Sequence, residues 1–441
     1  MSEPNPGRKA AADVLHRVAE SGSWAAPSLS AALGQGIDPR DRALATEIVY
    51  GTLRSLPEVD AAVAAHLRSP FENLDGYVRA AFRTGAYQLL HLSAPVHAIV
   101  SDTVSIVRNE RGPKLGGLVN AVLRKVAAKR PDDASPPTTM ALPPWLEEAL
   151  AADLGEERAT AFTQARPLPP PIGLRVRSGD RARVIAEIRE ERPRAEVKEG
   201  ALTPASILVR RGGDPHTLGA YRRGAVTIQE QGAQVVGLLM GAASGERVVD
   251  ACAGRGGKTL QLVEAVGSSG AVTAIDLHEA KLERISTELS RLGIAAEVET
   301  HTIDLAVGTG GLDAGFDRVL VDAPCTGIGT LHRRPEILIR LDQSEPGRMA
   351  KLQASILAHA CQLAAPGGTI VYAVCSPTRE EGIGVVERVL EAHPELVERA
   401  PNGDWPSLGV APDPDGVVRI GPWSGDCDAY QIARLVRRSS T

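Results

Sequence analysis

A chain of 441 residues exceeds what one ordinary hydrophobic core supports, so two or three domains are expected. Hydrophobic residues at 43% and charged residues at 23% describe a soluble globular protein, and no apolar run reaches the roughly 20 residues of a membrane span. The net charge of -5 conceals an uneven distribution: residues 1–130 carry 16 basic against 12 acidic side chains, so the remainder is clearly acidic. A basic front points toward a polyanionic partner. The start, MSEPNPGRKAAADVL, lacks the pattern of an export signal. Cysteines stand at 252, 325, 361, 375 and 427, with no C-x-x-C pair. That argues against a disulfide framework and a structural zinc site, and for a reducing cytoplasm with no bound metal.

From Arg8 to about Arg130 apolar residues recur at three- and four-residue steps. The runs Lys9–Glu20, Asp41–Leu53, Val59–Leu67, Tyr77–Leu92 and Val96–Glu110 predict helices. Basic residues collect late, at Arg108, Arg111, Lys114, Arg124, Lys125, Lys129 and Arg130. Charge alone fits a solvated helix face or a phosphate-contacting surface. The blocks RDRALATEIVYGTLR (Arg40–Arg54), AAFRTGAYQLLHL (Ala80–Leu92) and GLVNAVLRK (Gly117–Lys125) resemble the NusB-type RNA-binding domain, which implies an all-helical, RNA-binding domain over residues 1–130.

Residues 131–144, PDDASPPTTMALPP, show no periodicity and read as a linker. Over residues 145–225 come a short helix (Trp145–Asp153), a Pro-rich turn (Pro167–Pro171), a strand (Ile172–Arg177), a helix (Asp180–Arg189) and strands near Ala195–Lys198 and Ser206–Arg210. This resembles a small ferredoxin-like or RNA-recognition-type α+β module. Paired stacking aromatics are missing, so any RNA contact is expected from Arg175, Arg177, Arg210, Arg211, Arg222 and Arg223 on phosphates; a purely structural adaptor is the alternative. Gly224–Met240 reads as a strand running into a helix that enters the last domain, residues 226–441.

In that domain strands at Arg247–Cys252, Ala271–Asp276, Ala296–His301, Asp317–Asp322 and Thr369–Cys375 alternate with helices at Lys258–Val266, His278–Leu292, Gly347–Ala364 and Glu380–Ala392. Such alternation predicts a Rossmann-like, doubly wound parallel sheet, with a final strand, Ala429–Val436, at its edge.

The first strand runs into DACAGRGGKTL (Asp250–Leu260), whose glycines let backbone pass close beneath a ligand. Its spacing matches neither the dinucleotide nor the P-loop pattern. Asp276, ending the second strand, suits a pair of ribose hydroxyls, and Asp304 an adenine amino group, or else a turn. A nucleoside such as S-adenosylmethionine fits this arrangement. The fourth and fifth strands end in DAPCTG (Asp322–Gly327) and YAVCSP (Tyr372–Pro377), so neighbouring strands would turn Cys325 and Cys375 toward one crevice. Methylation of carbon 5 of a pyrimidine needs a thiolate to add at carbon 6, a base for the carbon 5 proton, and an acid near ring nitrogen 3. Asp322 is placed for the last. Cys361 and Cys427 read as buried apolar residues, and Cys252 as structural.

ACAGRGGKT, DAPCTGIGTLHRRPE and YAVCSP, together with Gln229–Gln231 and GDCDAYQIARL, resemble the ordered motifs of the Sun-type (RsmB-like) RNA 5-methylcytosine methyltransferases. With the NusB-type front, the resemblance covers nearly the whole chain. It implies a cytoplasmic, monomeric class I methyltransferase using S-adenosylmethionine on 16S rRNA, with tRNA as the nearest alternative and the target base unstacked. It further implies Cys375 as nucleophile, Cys325 as the residue resolving the adduct, Asp322 holding the cytosine and Lys258 orienting the carboxylates. Cofactor contacts would fall on Cys252, Ala253, Gly254, Arg255, Gly256, Gly257, Lys258, Asp276, Asp304 and Asp322. Arg255 stands where the family has proline, Val374 where it has threonine and Leu338 where it has lysine. Arg255 leaves a competing reading, an RNA-binding assembly factor with a decayed catalytic domain.

Overall fold

The computed structural model describes residues 3–34, 36–131, 135, 139–164, 170–177, 179–400 and 408–439. Packing divides the chain into two compact units, one built on Met1–Glu148 with Leu331–Asp342, the other on Ala149–Phe162, Pro170–Thr330 and Gln343–Thr441.

The first unit is helical: α1 (Pro6–Ser21), α2 (Ala25–Ala32), α3 (Pro39–Arg54), α4 (Leu56–Ala64), α5 (Gly76–His91), α6 (Val96–Arg111) and α7 (Pro113–Ala127). Its starts are written locally. Asn5, Asp38 and Asp75 accept amide hydrogens from the first turns of α1, α3 and α5, satisfying donors that the helix itself cannot. Leu15, Ile48 and Leu53 fill one cluster, and Phe82, Tyr87, Ile99 and Leu123 another. Helices α2 and α7 were not among the predicted runs; α2, AAPSLSAA, is too short and evenly apolar to show a period.

Leu331–Asp342 folds with these helices, although the sequence assigns it to a continuous domain over 226–441. Glu336, 2% exposed, accepts the Ala25 amide hydrogen at 3.0 Å. The guanidinium groups of Arg334 and Arg340 lie over the Trp24 ring, and Ile339 packs against the α1–α3 cluster. Much of the basic surface is engaged internally: Arg111 pairs with Asp75, Arg124 donates to Asn120, and Arg130 donates to the Leu92 and Ala94 carbonyls. Of the expected linker, 132–134 and 136–138 lie outside the described residues, as do 167–169 of the Pro-rich turn. Met140 and Leu142, at the linker's end, are buried.

After α8 (Pro144–Leu154) and α9 (Glu156–Thr163) comes a small module: β1 (Ile172–Val176), α10 (Arg181–Glu191), β2 (Glu196–Glu199), β3 (Ser206–Arg210), α11 (Gly219–Arg222) and β4 (Val226–Ile228). Its antiparallel order, β2-β3-β1-β4, is the ferredoxin-like one. Strand β4 pairs with β1, so the strand expected to lead into the last domain closes this sheet instead.

Most of the arginines named as possible phosphate contacts have a carboxylate partner within the protein. Arg175, 6% exposed, and Arg177 both pair with Glu264. Arg210 pairs with Asp426, Arg211 with Glu196 and Arg223 with Glu187. Arg175 and Arg177 are buried against Glu264 and are turned away from solvent, whereas Arg211 and Arg223 stay largely exposed in weak surface pairs.

The larger sheet follows α12 (Gln231–Leu239) and contains β5 (Arg247–Asp250), β6 (Ala271–Asp276), β7 (Val298–Thr302), β8 (Phe316–Asp322), β9 (Ala364–Val374), β10 (Val397–Arg399), β11 (Val418–Ile420) and β12 (Tyr430–Arg437). Helices α13 (Gly257–Val266), α14 (Glu279–Leu292), α15 (Glu345–Leu363) and α16 (Ile383–Ala392) cover it. The order is β10-β12-β9-β8-β5-β6-β7, with β11 also on β12. Strands β5 to β9 run parallel, as expected. Strand β12 runs antiparallel to β9, so the sheet is mixed. Nor is β12 an edge strand, because β10 and β11 flank it; at three residues each, VER and VRI are too short to read as strands from sequence.

Alternate residues feed opposite faces. Val249, Val319, Val321, Tyr372 and Val374 pack with α15 and α16, while Val248, Leu320, Val371 and Ala373 pack with α12 and α13. From β5 the chain steps to β6 on one side, whereas β8 lies on the other. That reversal opens a crevice beyond the carboxyl ends of β5 and β8. Among the described residues no helix is long and apolar enough to cross a membrane.

Candidate active site

Strands β8 and β9 pair in parallel, with Asp322 opposite Ala373, so the loops after them start side by side. Cys325 Sγ and Cys375 Sγ stand 3.2 Å apart. Fifty positions separate the two thiols in sequence, a span that includes α15, and the parallel pairing brings them together. The Cys325 thiol is pushed well above the usual cysteine range, by its hydrogen bond to Cys375 first and by burial second. It therefore keeps its proton beside the second sulfur.

Lys258, in the first turn of α13, reaches Asp322 with Nζ to Oδ2 at 2.6 Å. Burial would lower its ammonium pKa, but Asp322 outweighs that and the net direction is upward, so the ammonium stays charged. The same ammonium lies over the Tyr430 ring at 5.8 Å. Thr259 donates to Asp250 Oδ2 at 2.7 Å, and burial raises the Asp250 carboxyl to about 6. Its Oδ1 is buried without a well-formed hydrogen bond, the nearby Cys252 amide lending the carboxylate partial support.

The Cys325 loop is shaped from behind. The carboxylate of Glu381, fully buried, accepts from the Thr326 amide at 2.8 Å, from the Thr326 hydroxyl, and from Gln353 Nε2 at 3.0 Å. Gln353 also donates to the Pro324 carbonyl at 2.9 Å. The Cys375 loop is held by Gln431 of β12, which donates to the carbonyls of Ser376 and Thr378 at 3.1 and 2.7 Å. Gly329 passes between: a Cβ there would come within 2.1 Å of the Ala429 carbonyl and 2.8 Å of the Cys375 carbonyl. Glu381, Gln353 and Gln431 escaped the sequence reading. The approach to α16, SPTREEG, is polar throughout, and nothing in it sets Glu381 apart from its neighbour Glu380.

Two cavities meet at Asp322, sharing Cys252, Gly254 and Asp322. The larger, about 320 Å³, is lined by Asp276, Asp304, Ile303 and Ile356, with Leu277 and Leu352 on its walls at 55% and 37% exposed. Exposed leucines lining a cavity that also carries the Asp276 and Asp304 carboxylates suit a flat heterocycle with a ribose, so these residues fit an adenosine group. Asp276 accepts from the Gly254 amide at 3.0 Å, the His278 amide at 2.9 Å and Lys281 Nζ at 3.1 Å, which locks its orientation. The smaller cavity, about 220 Å³, is lined by Gln229, Asp250, Ala253, Arg255, Gly257 and Lys258.

The predicted cofactor residues thus divide. Cys252, Gly254, Asp276, Asp304 and Asp322 line the larger cavity; Ala253, Arg255, Gly257 and Lys258 line the smaller one and not the larger. Gly256 lines neither: at φ 86° it caps α13, where a Cβ would come within 2.7 Å of Ile285. Cys252 is held neutral by burial first and by Asp250 second. Cys361, raised to about 12 by burial, and Cys427, which donates to the Gly421 carbonyl, lie apart from the pair.

Residues 238–436 match the family model described as 16S rRNA methyltransferase RsmB/F, and residues 5–128 match the NusB family. Over 98% of this chain, a putative methyltransferase of Mycobacterium tuberculosis, Rv1407, is 35% identical, with 97% of its own length covered. A ribosomal RNA small subunit methyltransferase B of Pseudomonas syringae is 33% identical at the same coverage of both chains. The crystal structure of PH0851 shares the fold at TM-score 0.82 and 23% identity, covering 99% of both chains. NSun6 from Pyrococcus horikoshii, solved with SFG, matches at TM-score 0.56 and 17% identity over 68% of this chain and 99% of its own. The chain belongs to the RsmB/F family of RNA methyltransferases, with a NusB domain at its front.

Proposed function

We propose that the protein transfers a methyl group from S-adenosylmethionine to carbon 5 of a cytosine in small-subunit ribosomal RNA, in the cytoplasm, through a covalent adduct with Cys375. The observation that carries this reading is the pair of thiols 3.2 Å apart beside the Lys258–Asp322 ion pair. The likeness to small subunit methyltransferases B supports the choice of RNA.

S-adenosylmethionine supplies an electrophilic methyl group, and Asp276, Asp304, Leu277 and Leu352 would hold its nucleoside. The Cys375 thiolate adds to carbon 6 of the cytosine, which makes carbon 5 nucleophilic. Asp322, fixed by Lys258, faces the polar edge of the ring. After methylation the carbon 5 proton leaves to a base, the carbon 6–sulfur bond breaks, and its electrons return to Cys375 as thiolate. Cys325, poised 3.2 Å from that sulfur, assists the release.

The test uses a small-subunit rRNA transcript and radiolabelled cofactor. Cys375→Ala should abolish transfer, at least about a thousandfold, since covalent catalysis is lost outright. Cys325→Ala should still attack and accumulate an RNA-linked protein band. Activity retained by Cys375→Ala, or a band formed without Cys375, would overturn the assignment.

A further inference from the structure

A third opening, about 650 Å³, lies against the small cavity and shares Arg255 and Gly257 with it. Its lining includes Ile228 of β4, at 38% an exposed aliphatic side chain, and Arg284 of α14. Arginines elsewhere in this unit are largely tied to carboxylates, Arg175 and Arg177 to Glu264, Arg291 to Glu288 and Arg318 to Glu246. Arg255 and Arg284 are exposed and, among the described residues, make no hydrogen bond or ion pair. Glu288 borders the opening too, but its carboxylate is occupied by Arg291 and the Tyr221 hydroxyl. The Tyr221 ring is likewise covered, with the Arg291 guanidinium at 3.8 Å, and offers no free stacking face.

Two guanidinium groups without partners among the described residues share this opening with an exposed aliphatic side chain. It adjoins the cavity lined by Lys258 and Asp322, the pair that the methyl-transfer reading sets against the cytosine. Such a set matches one strand unit of RNA: phosphate, base, phosphate. Resting on the methyl-transfer reading above, we propose that this opening seats the nucleotide adjoining the target cytosine. Arg255, on the wall shared with the small cavity, holds the phosphate linking the two nucleotides. Arg284 holds the next phosphate, and Ile228 supports the neighbouring base. Arg255, which stands where the family has proline, then serves the substrate strand rather than loosening the cofactor loop.

The probe is a fluorescein-labelled single-stranded RNA of ten nucleotides with one central cytosine, titrated by anisotropy across a salt series. Each phosphate contact on a single strand adds about 0.7 to the slope of log affinity against log salt. Arg255→Ala and Arg284→Ala should each weaken binding several-fold, and the double variant should flatten the slope by about 1.4. Ile228→Ser should weaken binding without changing the slope, and Arg255→Lys should keep the slope. Arg284→Ala should leave the affinity for S-adenosylhomocysteine unaltered, and matched melting temperatures would exclude unfolding. An unchanged slope in the double variant overturns the site, as does failure of the unaltered protein to bind the RNA. A loss of S-adenosylhomocysteine affinity in Arg255→Ala larger than its loss of RNA affinity also overturns it. Methyl transfer to the rRNA transcript separates the two readings. Transfer with unchanged slopes sinks the flanking site alone, and flattened slopes without transfer sink the methyl-transfer reading alone.

Discussion

The loops after β8 and β9 look interchangeable in sequence, each a short turn with a cysteine, a hydroxyl residue and a proline, yet they are held by different means. The Cys375 loop is fixed to β12 through Gln431, an amide that cannot titrate. The Cys325 loop is fixed to a buried carboxylate, Glu381, and carries the Lys258–Asp322 ion pair at its start. Burial raises the Glu381 pKa, its hydrogen bonds from Ser376 and Thr326 opposing that rise only in part. Glu381 thus reaches both loops, accepting from Thr326 after Cys325 and from Ser376 after Cys375, whereas Gln431 holds the Cys375 loop alone.

The largest expected effect comes from removing the cation. Lys258→Met leaves Asp322 uncompensated, and we expect transfer to fall at least about a hundredfold, on the scale of a lost electrostatic contact to the reacting ring. Thermal stability should fall as well, by less than the roughly 3–5 kcal/mol of a fully buried broken pair, because Asp322 is partly exposed. Adding Asp322→Asn should restore the melting temperature without restoring transfer. If the double variant stays as unstable as the single one, the pair does not carry the charge balance of the site.

Next come the two supports. Glu381→Ala and Gln431→Ala should each cost about 1–3 kcal/mol, since each strands buried backbone groups. Their kinetic signatures should differ. Glu381→Ala should accumulate RNA-linked protein on denaturing gels, because the resolving loop is displaced, whereas Gln431→Ala should slow formation of that adduct. Equal adduct levels in the two variants would erase the distinction between the loops.

The smallest effect tests charge alone. Because the folded-state pKa of Glu381 is raised, its stabilising contribution is complete below the ordinary value of 4.5 and is lost as pH rises through the folded value. Glu381→Gln, which never ionises, should therefore compare most favourably with the parent at neutral pH, and that advantage should shrink as pH falls toward 4.5. Melting curves at several pH values check this; an advantage growing on acidification reverses the sign and removes the argument.

The sequence by itself determined the helical front, through capping residues and three-to-four periodicity. It also determined the alternating strands and helices of the larger sheet and singled out Cys325, Cys375, Asp322, Asp276 and Lys258, which the fold places around one crevice. These were legible because local spacing dictates an element and because a thiol or carboxylate at a strand end is rare enough to notice. Only tertiary structure decided that β12 is internal and antiparallel, since pairing partners as short as β10 and β11 carry no periodic signal. It alone drew Leu331–Asp342 into the helical unit, and showed five arginines of the small module spent on internal carboxylates. Which charges are free is a property of what lies across a fold, often more than fifty residues away in the chain. No pattern along one stretch of sequence encodes the partner, so Glu381 behind Cys325, and Arg255 and Arg284 without partners among the described residues, became visible only once the sheet and its helices were assembled.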